Sequence, residues 1–354
     1  MERSGKPGVM GTAPQDRGPW LGPQWAPLAS FYGVWILWRR ALYDRGVLGA
    51  HDPGAFTVSV GGLEAGGSGK TPVAHLLTRV LAGAGKRVGL VTRGYGRQRR
   101  GLVVRETGAA ALPAEIGDEA AMLVAAGLDI PVAACGRRVL AARALVRLGC
   151  DVLVVDDGFA HRALARHLDV VVLCGERPLG SGHLLPWGSL REPASSLARA
   201  HVIWLHFRSG VAGEPPAWLA QVAPKAQVVV SASRPLPTRD ARGGVVSLRG
   251  VPVVVAAGIA RPHELFVAVA AAGARVVATR AWRDHALYTA AHVRELSSLA
   301  ARHRAAAVVV TPKDAVKLAA LWQGPPLWVQ DRAVQPVRGH EALAARLGVS
   351  WSQQ

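Results

Sequence analysis

The chain is predicted to be an α/β protein: a P-loop NTPase-like parallel-sheet domain, a second and smaller α/β domain, and an N-terminal interfacial helix. Three observations point there. An apolar strand from Phe56 runs into a glycine-rich loop that opens a helix; a second apolar strand, Asp151–Val155, ends in two carboxylates; and from about Ala200 strands and helices alternate again.

With 354 residues the chain has room for two such domains, and with 50% of them hydrophobic it is globular. Lys+Arg 42 against Asp+Glu 24 gives a net charge of +18, a field that draws nucleic acid, an anionic membrane surface or a phosphorylated substrate. No nucleic-acid-binding module pattern occurs and the charges are scattered through helices, so nucleic acid ranks last. Cys135, Cys150 and Cys174 lie in or beside apolar runs without paired metal-ligand spacing, the pattern of buried thiols in a reducing compartment. No fixed-period repeat is present.

Taken in order, residues 1–24 are rich in Gly, Pro and charge and read as a disordered extension without the pattern of a secretory signal. Within residues 25–50, Pro27–Trp38 is almost wholly apolar and is followed by Arg39 and Arg40. Roughly 20 apolar residues are needed to span a bilayer, so this stretch is too short. Its aromatics (Phe31, Tyr32, Trp35, Trp38, Tyr43) beside arginines suit a helix lying in the headgroup region, or one that packs its aromatic side on the core.

Residues 51–198 form the predicted first domain. The strand from Phe56 leads into Gly61-Gly62-Leu63-Glu64-Ala65-Gly66-Gly67-Ser68-Gly69-Lys70-Thr71 and a helix that continues through Pro72 to about Ala82. Glycines let successive N–H groups turn toward one point, the helix adds its positive end, Lys70 reaches β- and γ-phosphate oxygens and the Thr71 hydroxyl suits Mg²⁺. Glu64 stands where the usual pattern has glycine, and Ala65 where partner-sensing ATPases carry a signature lysine. The next strand, Arg87–Thr92, ends in Arg93-Gly94-Tyr95-Gly96-Arg97, either a phosphate contact or a solvated surface turn. Gly117-Asp118-Glu119 precedes an apolar helix, leaving Asp118 as a helix cap or a base. The helix Arg137–Leu148 then leads to the strand ending in Asp156 and Asp157, expected beside the phosphate-loop strand with a carboxylate toward Mg²⁺. His161, the strand Asp169–Cys174 and a Pro/Gly-rich loop ending Leu190-Arg191-Glu192-Pro193 complete the domain; that loop suits a lid or substrate wall.

Residues 199–354 are assigned to the second domain, with a last helix able to pack back on the first. Its predicted strands are His201–Phe207, Gln227–Ser231, Val251–Ala257, Arg275–Trp282 and Ala305–Thr311, with helices Pro262–Ala272 and Thr289–His303. Thr311-Pro312-Lys313-Asp314 has the wrong order for the base-specifying motif of GTPases. Asp284-His285 could orient a base or cap a helix.

These motifs, in this order, resemble the tetraacyldisaccharide 4'-kinases, the lipid A kinases of Gram-negative bacteria. The likeness rests on Gly66 to Pro72, Arg93 to Gly96, Gly117-Asp118-Glu119, Asp156 to Phe159 with His161, Leu185-Pro186 through Arg191-Glu192-Pro193, Gly258 to Pro262, Asp284-His285, and Lys313-Asp314 with Lys317. The resemblance implies an ATP- and Mg²⁺-dependent kinase of the 4'-hydroxyl of a tetraacyl glucosamine disaccharide 1-phosphate. It further implies a peripheral enzyme on the cytoplasmic face of the bacterial inner membrane, whose anionic surface the net positive charge suits; a monomer is expected. Gly66, Gly67, Ser68, Gly69, Lys70 and Thr71 would hold ATP; Thr71, Asp156 and Asp157 the metal. Asp118 matches the proposed base and His285 its support, with Lys70 also catalytic, while Arg93, His161, Arg191 and Glu192 fall on positions lining the cleft. The chain departs from the family at Gly62, Glu64, Ala120 and Ala160. The alternatives are a P-loop kinase or NTPase of a soluble metabolite, or a non-catalytic nucleotide-dependent binding protein at the membrane.

Overall fold

A computed structural model describes residues 21–351 except His285. The expected extension at residues 1–24 lies almost entirely outside the described residues, and so does the expected role of His285. The chain enters through helix α1 (Ala26–Asp44), which has Pro in its first turn. Ala29 and Gly33 face the protein, whereas Phe31, Val34, Trp35, Leu37 and Trp38 are exposed. Its aromatic side is therefore not spent on the core. Polar contacts tie the opposite side down: Tyr32 Oη donates to the Arg191 carbonyl at 3.0 Å, Arg40 to the Ser195 carbonyl, and Asp44 receives Arg162 at 2.8 Å. Among the described residues no helix is long and apolar enough to cross a membrane.

The first sheet begins with β1 (Phe56–Gly61), which feeds α2 (Lys70–Gly83), β2 (Val88–Thr92) and β3 (Val103–Arg105). Short α3 (Pro113–Ile116) and α4 (Asp118–Ala125) precede β4 (Val132–Ala134), α5 (Arg138–Arg147), β5 (Val152–Asp156) and β6 (Leu168–Cys174). As the continuous apolar run required, β5 pairs parallel to β1, with Val58 opposite Val154. Both its faces are covered: Val152 and Val154 meet α2 through Val73, Leu77 and Leu81, while Leu153 and Val155 meet α5 through Ala141, Ala142 and Leu145.

β7 (Val202–Phe207) and, after α6 (Trp218–Val222), β8 (Gln227–Pro235) follow. The repeating strand–helix rhythm assigned both strands to the second domain; instead they extend the first sheet, β7 pairing with β6 and β8 with β7, all parallel. An apolar strand buried on both faces carries no local mark of which sheet it joins, so the rhythm alone misassigned them.

The second sheet holds β9 (Pro252–Ala257), β10 (Arg275–Ala281), β11 (Ala307–Val310) and β12 (Leu327–Val329) in the order β10-β9-β11-β12, all parallel. Between these strands lie α7 (Pro262–Ala271), α8 (Ala290–Arg302) and α9 (Pro312–Leu318). Val253 and Val255 face Leu265 and Val269 of α7, and Val254 and Ala256 face Leu296 and Ala300 of α8. The Thr289 side chain and His292 form a capping box at the start of α8.

The chain then returns. β13 (Arg332–Arg338) pairs antiparallel with β8, placing Arg332 opposite Pro235, and α10 (His340–Leu347) buries Leu343 and Leu347 in the first core. The first sheet therefore runs β13-β8-β7-β6-β1-β5-β2-β4-β3, a parallel centre with an antiparallel strand at each edge. Its strand order reverses beside β1, and the carboxyl ends of β1, β2, β5, β6 and β7 open on one side, where α/β sheets bind ligands.

Candidate active site

The glycine loop leaves β1 and ends at Gly69, whose φ of 88° makes it a left-handed N-cap for α2. That backbone favours glycine and sets Lys70 and Thr71 in the first helical turn. Lys70 Nζ rests on its own loop, 3.3 Å from the Glu64 carbonyl and 3.5 Å from Ser68 Oγ. Burial lowers its pKa, opposed by the charges of Asp157 and Asp156.

Glu64 points away from this cradle. Its Oε1 accepts from Ser189 Oγ at 2.8 Å, Ala65 N donates to the Ser189 carbonyl at 2.8 Å, and Arg191 N donates to the Leu63 carbonyl at 2.7 Å. The departure from the glycine pattern thus serves to dock the Pro/Gly-rich 177–193 loop on the glycine loop.

At the end of β5, Asp156 is 5% exposed. Thr71 Oγ1 lies 3.5 Å from its Oδ2, and its Oδ1 makes no hydrogen bond among the described residues. Burial raises its pKa well above the carboxylate range, and the Glu119 and Asp157 carboxylates push it further. A buried, orphaned carboxylate oxygen beside a hydroxyl is a donor set that a hard cation fits, and a cation would remove the cost of ionising it. Among the described residues no three His, Cys, Asp or Glu side chains gather in a group that could hold a metal.

Asp157 has a different partner. Its backbone is left-handed, φ 51°, and its carboxylate is gripped by Arg191 through Nη1 at 2.7 Å and Nη2 at 2.6 Å. Burial works to raise its pKa, but the Arg191 hydrogen bonds and the Lys70 charge outweigh it and hold the group at about 2. Glu192, expected along the cleft, is 6% exposed and clamps Arg199 at 2.8 and 3.0 Å; Arg199 in turn donates to the Phe159 carbonyl and covers the Phe159 ring. It braces the turn after Asp157 from behind.

Asp118 opens α4, but the cap position belongs to Gly117, so the side chain is released from that duty. A Cβ on Gly117, φ 92°, would meet the Gly94 Cα at 2.8 Å, which is how the Arg93–Arg97 loop comes to lie against Asp118. Asp118 is 4% exposed, and among its partners is Lys317 Nζ of α9 at 3.5 Å. Lys317 also donates to the Ala286 carbonyl at 3.1 Å and lies 3.8 Å from Asp314, a fully buried carboxylate held by Tyr288 Oη at 2.9 Å and Thr311 Oγ1 at 2.7 Å. Asp314 is thus structural, in keeping with the sequence order that set it apart from a base-reading motif. Asp284 pairs with Lys313 at 2.9 Å.

His161 is half-buried; burial first, then Arg138, Arg166, Arg39 and Arg93, lowers its pKa to about 4, so it is neutral at pH 7. Arg93 is exposed at the end of β2. Three further residues belong to this region: Arg138, which the sequence reading did not name, and Glu119 and Lys317, which it placed in motifs without a role at the site. Arg138 is 5% exposed, its Nε makes no hydrogen bond among the described residues, and its charge acts on Asp157. Its signal was available: Gly136-Arg137-Arg138 follows a strand ending on the same side. Glu119 adds charge next to Asp156, and Lys317 reaches Asp118 from the far sheet, a pairing no local pattern encodes.

A family model described as tetraacyldisaccharide-1-P 4'-kinase matches residues 23–348. A protein named tetraacyldisaccharide 4'-kinase from Anaeromyxobacter dehalogenans (strain 2CP-C) is 44% identical over 324 residues, 87% of this chain and 85% of that one. Another of that name, from Alkalilimnicola ehrlichii, is 37% identical over 302 residues, 85% of each chain. In fold, the chain is similar to Aquifex aeolicus LpxK, solved in complex with ATP: TM-score 0.72 at 24% identity, over 93% of this chain and 99% of that one.

Proposed function

The chain belongs to the tetraacyldisaccharide-1-P 4'-kinase family, the kinases of lipid A biosynthesis, and from that premise we propose how its own residues move the γ-phosphoryl group of ATP to the 4'-hydroxyl of a tetraacyl disaccharide 1-phosphate. The carrying observation is that Glu119, the residue after Asp118, lays its charge on both Lys70 and Asp156, which brings the glycine loop and the end of β5 to the start of α4, where Asp118 is tied to Lys317 of α9.

Residues Gly66 to Thr71 receive the β- and γ-phosphates on backbone N–H groups and the end of α2, and Lys70 exchanges its loop contacts for phosphate oxygens. Thr71 and Asp156 would hold Mg²⁺, which supplies charge neutralisation at the polyphosphate. Asp157 acts indirectly: clamped by Arg191, it leaves the ammonium of Lys70 in a balanced field. Asp118 takes the proton of the 4'-hydroxyl as its oxygen bonds to the γ-phosphorus and the bond to the bridging oxygen of ADP breaks. Arg93, Arg138 and neutral His161 line the acceptor side, where a cluster of cations suits a phosphorylated sugar.

We further propose that α1 lies in the headgroup region of the cytoplasmic face of the inner membrane. Its outward Phe31, Trp35 and Trp38 would sit among lipids while Arg39, Arg40 and the net positive charge meet anionic headgroups. The acceptor's chains then stay partly in the bilayer while a monomeric enzyme works on the sugar.

A radiolabelled-ATP transfer assay on tetraacyldisaccharide 1-phosphate in mixed micelles tests the chemistry. Wild type should label the lipid, Lys70→Ala should not, and Asp118→Asn should bind ATP normally while losing turnover; near-normal turnover by Asp118→Asn removes the base assignment. Co-sedimentation with anionic vesicles tests the helix: Trp35→Asp/Trp38→Asp should stay in the supernatant, and binding equal to wild type refutes its membrane role.

A further inference from the structure

We propose that His206, on a strand two places from β1, is a positioning residue for the phosphate loop: its imidazole is the floor on which Gly69 rests. The contact is tight. A Cβ added to Gly69 would lie 2.7 Å from His206 Cδ2 and 3.4 Å from Cγ. Gly69 is the left-handed cap from which Lys70 and Thr71 start, so the ring sets the height of the N–H groups offered to phosphate.

The ring is itself fixed at both nitrogens. Ser231 Oγ stands 2.9 Å from Nδ1 and Ser233 Oγ 3.0 Å from Nε2, both from the same face of β8. Trp204 Nε1 donates to Ser231 Oγ at 2.7 Å. Ser231 Oγ keeps a second lone pair and its own hydrogen for Nδ1, so the neutral ring donates at one nitrogen and accepts at the other, with a serine hydroxyl to match at each. Burial, followed by the Arg208 charge, lowers the ring's pKa to about 4, so it is neutral at pH 7. A chain of three polar side chains beneath a loop glycine is a way to transmit a fixed position from the core of the sheet to the nucleotide.

The inference rests on the glycine loop being the nucleotide cradle, and one experiment separates the two. Binding of a non-hydrolysable ATP analogue is measured by calorimetry, and ATP and acceptor kinetics are followed in the full-length protein for wild type, Lys70→Ala, His206→Ala, His206→Gln and Ser233→Ala, with melting temperatures. Loss of analogue binding in Lys70→Ala identifies the cradle; unchanged binding there overturns the cradle reading. His206→Ala should raise both the analogue's Kd and the KM for ATP about tenfold, with kcat within about twofold and the acceptor KM unchanged. His206→Gln, whose Nε2–H can reach Ser233, should recover most of that loss. A split of this kind, with conservative rescue, is not what general loosening of the core produces. An ATP KM in His206→Ala within about twofold of wild type, or an equal rise in the acceptor KM, overturns the role of His206 while leaving the cradle intact. Should His206→Ala fail to fold, Ser233→Ala decides: an ATP KM raised about threefold supports the floor, an unchanged one refutes it.

Discussion

Replacing Lys317 with methionine tests the pairing that joins the two sheets at the site. The substitution keeps the volume and takes an ammonium from a carboxylate 3.5 Å away; both side chains are 6% exposed. At an effective dielectric of about 20, charges at that separation attract by about 5 kcal/mol, in line with the roughly 3–5 kcal/mol lost when one partner of a buried pair is removed. Unfolding entropy of about 2.1 cal/mol/K per residue over 354 residues converts this into a fall in melting temperature of about 4–7 °C. Differential scanning calorimetry measures it, and Asp118→Asn/Lys317→Met supplies the control: with the anion also neutralised the double variant should melt above Lys317→Met alone. Turnover should fall at least about tenfold in Lys317→Met, since Asp118 loses a fixed orientation, while ATP binding stays within about twofold because the cradle is untouched. A melting temperature within about 1 °C of wild type, or a double variant as unstable as the sum of the singles, would refute the reasoning.

Glu64→Gln should leave the Kd for ATP within about twofold, because the carboxylate is engaged by Ser189; titration calorimetry checks it, and a large gain in affinity would mean that the charge faces the phosphates. Asp156→Asn should raise the melting temperature of the ligand-free protein, since a carboxyl whose pKa is raised resists ionisation at pH 7, and should cut turnover at least about 100-fold, read in parallel scans and assays. Stability should also fall in acid through His206. Its folded pKa of about 4 lies below the ordinary 6.5, so its contribution is whole above about pH 6.5 and is lost as pH falls toward 4, about 3 kcal/mol in all. Melting curves of wild type and His206→Gln across that range should converge toward pH 4. Leu77→Ala, which empties a fully buried position between α2 and the sheet, should cost about 2–5 kcal/mol in denaturant titration without changing the ATP KM by more than about twofold.

What could be read from the chain was what is local. The strand, loop and helix around Lys70 are consecutive, and the apolar run ending in Asp156 states both its burial and its place beside β1, so these elements emerged with their residues. Partner choice was hidden. β7 and β8 look like any βα strands, and only the pairing of β7 with β6 and of β8 with β7 assigns them to the first sheet. Asp118 read locally as a cap because Gly117 carries no side chain to advertise its own capping role, and because Lys317 is remote in sequence. Asp157 read as a metal residue and Glu192 as a cleft residue because a carboxylate looks the same in sequence whether it faces a ligand or an arginine; the structure gives them Arg191 and Arg199 as partners. His206, in the middle of an apolar strand, had nothing in its neighbourhood to mark it.

The pairing of Pro235 with Arg332 has a reach beyond the sheet it belongs to. The chain departs from one of these neighbours and comes back at the other, so everything between them, the whole second sheet with its helices, is a cassette inserted into what would otherwise be a simple hairpin. Such an arrangement lets the inserted part lengthen, shorten or change its loops without disturbing the first core, provided the two adjacent ends and the Lys317 contact with Asp118 are kept.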